Sequence, residues 1–261
     1  QRHPGFAWEL RRARAPEWAR ARGMRDEVTL RGRALHAGCE VAVSLRRREG
    51  PIALAQGGKE ARLDELAVVR ADRGVMLEGG GVRVDLVEHL LAATAALGIR
   101  RDLLVLVEGP EVPLLDGGAA RFFDALAQLA IPAEPPALVV TKAATFRVGD
   151  AVYVFEHGEE VMVQVGIDFA HPAIGRASAR FEGDAADFRE RIAPARTFGF
   201  LREAEALMAS GRALGVDPGA VVVFTDEGVL DASLPLRENE PAHHKLLDLI
   251  GDLALYGGPP R

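Results

Sequence analysis

One cysteine, Cys39, stands among 261 residues, so the chain closes no disulfide of its own and builds no cysteine-rich zinc site; a reducing compartment suits it. Long apolar runs are missing as well. The longest uncharged one, Leu90 to Ile99, is about half of the ~20 residues that a membrane-spanning helix needs. Basic character is also scarce: the formal net charge is −6 and the isoelectric point is near 5.7. No long Lys/Arg run follows residue 23, which excludes an obvious nucleic-acid footprint. No short repeat recurs. Residues 1–23 carry six arginines, two tryptophans and two prolines without the uninterrupted apolar core of a signal peptide. They are expected to form a mobile extension without a role in function.

What the chain does have is material for a core. Hydrophobic residues make up 48% of it, and its length suits two ordinary domains or one large one. "VTLRGRALH" and "EVAVSLRRR" alternate as a strand pair turning near Ala37 and Gly38. "LVEHLLAATAALGI" (86–99) reads as a helix stopped by Gly98. "DLLVLVEG" (102–109) reads as a buried strand, and "DGGAARFFDALAQLA" (116–130) as a second helix that Asp116 could cap. Prolines at 132, 135 and 136 mark a linker over 132–137, where neither a helix nor a central strand can run. Strands are then expected in "ALVVTKAATFRV", "AVYVFEH" and "EVMVQVGIDF", followed by a mixed region and a final helix. The order predicts an α+β fold of two similar domains, 24–131 and 138–261. Each would be a mostly antiparallel sheet packed on helices, with the active site between them.

The final helix holds "HHKLLDLIGD" (243–252). His244 and Asp248 are four apart and share a helix face, Lys245 and Asp252 flank them, and Leu246, Leu247, Leu249, Ile250 and Leu253 supply the apolar stripe. By itself the pair is a weak signal, read more simply as a histidine at a helix start and an aspartate on a wet face. His89, near the start of the 86–99 helix, adds a second imidazole if the two helices converge. Two histidines and a carboxylate suit a catalytic zinc with an open fourth position. Glu88, beside His89, would then be placed to take a proton from water.

"VEHLLAATAALGI", "GPEVPLLDGGAARFF", "IDFAHPAIG", "ARTFGF" and "HHKLLDLIGDL" resemble, in order and spacing, the motifs of the UDP-3-O-acyl-N-acetylglucosamine deacetylases. These are the zinc hydrolases of lipid A, and hence lipopolysaccharide, biosynthesis in Gram-negative bacteria. "GRALHAG" (32–38) is similar to that family's "GxGLHTG", and the likeness runs from about residue 25 to 258. It implies His89, His244 and Asp248 as Zn2+ ligands and Glu88 as the base that activates the attacking water. It implies Thr197 as a donor to the oxyanion, Lys245 as local positive charge, and Asp252 as the carboxylate that orients a catalytic histidine. Phe198 and Gly199 would lie at the substrate sugar. The region 202–230 matches an insertion that guides the acyl chain, with Leu207, Met208 and Leu214 lining it. The resemblance implies a UDP-linked acylated N-acetylglucosamine as substrate and a cytoplasmic monomer with no nucleic-acid partner and no stable membrane insertion.

One family element is not matched. The oriented histidine belongs to a "GHxLN"-like segment beyond the last helix, and none of His3, His36, His157, His171 or His243 takes its place. His36 and His171 are expected to support structure. The second domain is therefore expected to be truncated at its C-terminal end, the chain being a fragment of a longer enzyme. The alternative is a shortened homologue that binds zinc and sugar nucleotide without efficient catalysis. A related zinc amidase for another N-acetylated sugar is a third reading.

Overall fold

The computed structural model describes residues 25–231 and 235–261; the extension expected over 1–23 lies outside the described residues. Strands β1 (Glu27–Arg33) and β2 (Glu40–Pro51) pair antiparallel from Glu27↔Arg46 to Arg33↔Glu40, turning where the sequence indicated. With β3 (Ala53–Gln56), β4 (Lys59–Arg62) and β8 (Arg101–Glu108) they form a five-stranded sheet of order β1-β2-β8-β3-β4. The run Leu103–Leu104–Val105 makes β8 a central strand, antiparallel to β2 and parallel to β3. A second, three-stranded sheet comprises β5 (Ala67–Arg70), β6 (Met76–Gly79) and β7 (Val82–Val84).

Helix α1 (Glu88–Ala96) is buried at every position: it is mostly apolar, and even its Glu88, His89 and Thr94 are enclosed by neighbours. It stops as predicted at Gly98, whose φ of 67° suits a residue without Cβ. Helix α2 (Ala120–Gln128) starts later than expected, and Asp116 does not cap it. The cap position is Ala119, without a side-chain bond, and the Ala119 amide donates to the Ala193 carbonyl at 2.7 Å. Gly117 and Gly118 explain the shift: a Cβ on them would lie 1.7 Å from the Ala220 oxygen and 2.3 Å from the Ala193 oxygen. This glycine pair is pressed against the backbone of the second half, and the helix begins only beyond it.

The second half is mixed, but its strands lie in separate pairs rather than in a sheet like the first. They are the antiparallel hairpins β9 (Ala144–Val148) with β10 (Ala151–Phe155) and β11 (Val163–Phe169) with β12 (Gly175–Phe181). The third pair is parallel, β13 (Thr197–Phe200) with β14 (Val221–Phe224). Residues 138–143 are irregular where a strand was expected; there Leu138 and Val140 spend backbone bonds on Arg261. Helix α3 (Leu201–Ala209) overlaps the start of the region 202–230, and α4 (Glu240–Ala254) is the helix of the histidine motif. A continuous core joins Val43, Leu45 and Val105 of the first sheet to α1, then to Leu246, Leu247 and Ile250 of α4 and to Phe181 and Phe188.

Helices α1 and α4 meet at backbone distance. A Cβ on Gly251 would stand 2.2 Å from the Glu88 carbonyl oxygen. Helix propensity alone would make Gly251→Ala stabilising by about 1 kcal/mol. The contact reverses the sign, and the substitution is expected to cost roughly 1–3 kcal/mol. Denaturant midpoints of the two proteins check this, and a higher midpoint for the alanine protein would refute the close crossing.

Candidate metal centre

The crossing of α1 and α4 sets the geometry of the buried polar groups. His89, on the first turn of α1, and His244, on the first turns of α4, are 3% and 2% exposed. Their rings meet edge to face with centroids 5.0 Å apart. Asp248 Oδ1 lies 3.7 Å from His89 Nε2 and 3.5 Å from His244 Nε2. One ligand atom from each of the three residues lies within 4.8 Å of the others. The structure therefore brings together the three side chains that the sequence singled out.

Two details decide what this cluster can hold. His244 Nδ1 donates to the Ala195 carbonyl at 3.0 Å, which fixes the tautomer and leaves Nε2 with a lone pair toward Asp248. Asp248 Oδ2 accepts from Lys245 Nζ at 2.9 Å, while Oδ1 is buried and has no hydrogen-bond partner. A buried carboxylate oxygen without a donor is costly, and a cation bound between it and two imidazole nitrogens would satisfy it. The donor set, two nitrogens and one oxygen, is one that zinc accepts.

The electrostatics agree with that demand. Burial, and then His244, pushes His89 down to about 3, and burial lowers His244 too; both rings are thus held neutral, as ligands must be. Burial alone would raise Asp248, but His244, Lys245 and His89 together hold it well below the usual carboxylate range. Asp248 in turn raises Lys245. Glu88 is buried beside them and accepts from the Val75 amide at 3.0 Å through Oε2. Burial, and then Asp248, pushes Glu88 up to about 8. Asp252, one turn beyond Asp248, rises to about 6 through desolvation and then Asp248.

Around the cluster, Phe198 places its ring 6.1 Å from the His244 ring, and Lys245 Nζ stands 5.3 Å above the Phe198 ring. Thr197 and Gly199 flank Phe198 on β13. The Thr197 amide donates to Gly117 at 2.7 Å, whereas its hydroxyl bonds to no described residue. A Cβ on Gly199 would meet nothing within 4 Å, so space lies above that strand. The insertion residues are more dispersed: Leu207 is half-buried, and Met208 and Leu214 are each 50% exposed. His171 serves structure, since Nε2 donates to the Thr225 carbonyl at 2.5 Å and Nδ1 accepts from Ala173.

Sequence reasoning missed the supports. Ala195 and Val75 act through backbone atoms, which no residue pattern announces. The segment 195–197 is tied to the start of α4 by Arg196, whose Nε donates to Glu240 Oε1 at 2.8 Å; Glu240 is 1% exposed. The signal there was an acidic residue heading a helix with an apolar stripe.

The shifted groups make a signed pH prediction for the metal-free protein. Glu88 stays protonated in the fold up to about 8 but ionises near 4.5 when unfolded, so its presence costs stability as pH rises through that window. The buried histidines act oppositely, losing stability as pH falls below their ordinary range. Glu88→Gln removes only the first effect. Relative to the parent, its stability is expected to increase from pH 5 to pH 8 by at most on the order of 1 kcal/mol per unit. Chelator-treated proteins unfolded across that range give the answer, and a flat difference would contradict the shift.

Comparison with known proteins adds two findings. The family model for UDP-3-O-acyl N-acetylglycosamine deacetylase matches residues 21–261. Proteins named UDP-3-O-acyl-N-acetylglucosamine deacetylase from Brucella ovis, Brucella canis and Brucella melitensis are each 39% identical over 181 residues. The matched part is 68% of this chain and spans 63% of the length of each relative.

Proposed function

Since the chain belongs to the UDP-3-O-acyl N-acetylglycosamine deacetylase family, we propose that it hydrolyses the acetamide of a UDP-linked, 3-O-acylated N-acetylglucosamine. The products are acetate and the free amine that lipid A assembly requires. The observation that carries this reading is the buried, donorless Asp248 Oδ1 facing two imidazole nitrogens whose protonation is suppressed. His89 and His244 through Nε2, with Asp248 through Oδ1, would hold zinc. When bound, zinc supplies Lewis acidity toward the amide carbonyl and a water.

The remaining chemistry belongs to the chain. Glu88 takes a proton from the attacking water, its carboxylate aimed by the Val75 amide. Lys245 keeps a positive charge beside the forming oxyanion, and Thr197, whose hydroxyl bonds to no described residue, donates to that oxygen. Asp252 stands where it can orient a proton donor for the departing amine. Phe198 packs against the sugar, and Gly199 leaves room for it. Leu207, Met208 and Leu214 receive the acyl chain, worth ~0.8 kcal/mol for each buried methylene. A nucleotide-linked substrate places the reaction in the cytoplasm, where the protein works as a monomer. Consistent with this, no helix among the described residues is long and apolar enough to cross a membrane.

His244→Ala and Asp248→Ala are expected to abolish stoichiometric zinc, measured by metal analysis after dialysis; full retention in either would defeat the ligand assignment. Glu88→Gln preserves shape and the Val75 bond. It is expected to keep zinc while kcat on the acylated UDP-N-acetylglucosamine falls by ~10²-fold or more. Near-normal turnover in that protein would remove Glu88 from the mechanism.

A further inference from the structure

The loop that aims Glu88 is itself held from the other half of the chain. Residues 71–75 link β5 to β6, and Val75 grips the start of α1 twice: its amide donates to Glu88 Oε2 at 3.0 Å, and its carbonyl accepts from the Val87 amide at 3.3 Å. Gly74, with φ of 129°, is wedged so that a Cβ would stand 3.4 Å from Glu88 Oε1 and 3.5 Å from His36 Nε2. Just before it, Arg212 Nη2 donates to the carbonyls of Asp72 at 2.9 Å and Arg73 at 3.2 Å. His36 Nε2 donates to the same Arg73 carbonyl at 2.9 Å, and Arg73 pairs with Glu203 of α3 at 2.6 Å.

Arg212 is anchored on its own side too. The Leu214 and Gly215 amides donate to the carbonyls of His36 and Leu35 at 3.2 and 2.9 Å. Gly215 sits so close that a Cβ would lie 1.9 Å from the Ala34 oxygen. The buried carboxylate of Glu111 accepts from the His36 and Ala37 amides at 3.0 and 2.7 Å, fixing that turn to the strand region beyond β8. Each contact from the 212–215 segment to the Glu88 carboxylate is thus a hydrogen bond or a backbone touch.

The geometry points to Arg212 as a positioning residue that holds loop 71–75 and, through the Val75 amide, aims the general base. The segment proposed to receive the acyl chain would thereby be coupled to the group that activates water. This rests on the reading of Glu88 given above. A guanidinium suits the task because Nη2 holds its two protons in a fixed plane toward both carbonyls while Nη1 reaches Asp72 Oδ2 at 3.4 Å, whereas the ammonium of lysine is a freely rotating point charge.

Two measurements on the full natural protein test it. In the metal-free form, amide exchange at Val75 is expected to speed up on the order of tenfold in Arg212→Ala, with the melting temperature near that of the parent. With zinc bound one to one, kcat is expected to fall by about 10–100-fold, the scale that small misplacement of a reacting group produces, while KM changes little. Arg212→Lys should recover part of the loss. In a Glu88→Gln background, adding Arg212→Ala should cost nothing further, because the group it aims is already gone. Unchanged Val75 exchange, a loss confined to KM, or full additivity with Glu88→Gln would each overturn the assignment. Should Arg212→Ala melt too early to assay, Arg212→Gln is read by the same measurements. If the parent fails to deacetylate, the functional reading falls by itself, and Val75 exchange still decides whether Arg212 holds the loop.

Discussion

Everything at the polar centre depends on one backbone contact, where Gly251 of α4 lies against the Glu88 carbonyl of α1. Two helices so close leave no room for side chains at the crossing, so the residues on either side of it must face each other across a short gap. His89 is one step from the crossing on one helix, and His244 and Asp248 are about two turns and one turn before it on the other. Their mutual distances follow from the crossing. The apolar packing of Leu246, Leu247 and Ile250 supplies the free energy that keeps such groups out of water.

The same burial creates the chemistry. In a dry setting two imidazoles resist protonation, a carboxylate with cationic neighbours stays ionised, and a second carboxylate nearby is driven toward its neutral form. Glu88 and Asp248 carry the same functional group, yet they are shifted in opposite directions. Lys245 and the imidazoles lie beside Asp248, whereas at Glu88 burial and the Asp248 and Asp252 carboxylates outweigh the amides of Val75 and of Glu88 itself. Under the proposed function, that separation suits one carboxylate to ligate and the other to carry protons.

How much of this could be read in the residues varies with the kind of interaction. Periodicity located α1 and α4, because an apolar run closed by Gly98 and an i,i+4 His–Asp pair are local signals. The convergence of His89 with His244 was no local signal: it was legible as a condition on the two helices meeting and through the family resemblance. Asp116 was misread as a cap because the glycines after it answer to Ala193 and Ala220, far along the chain. The strand expected over 137–148 shortened because Leu138 and Val140 bond elsewhere. Val75, Ala195 and Arg212 left no trace, since a backbone amide or carbonyl is the same in every residue and its partner is a matter of three-dimensional path. The insertion's apolar residues were visible as a helix-like pattern, but the pattern did not tell half-buried Leu207 from exposed Met208.

The distribution of the three clustered side chains along the chain also orders events in time. His89 belongs to the first half, and His244 and Asp248 to the last helix, so a growing polypeptide that has delivered only the first half presents a lone imidazole on a helix whose other faces await partners. Long-range closure is slow compared with local helix formation. The three-residue cluster is therefore complete only after α4 has docked on α1, and any cation that it is proposed to hold would be captured after that step.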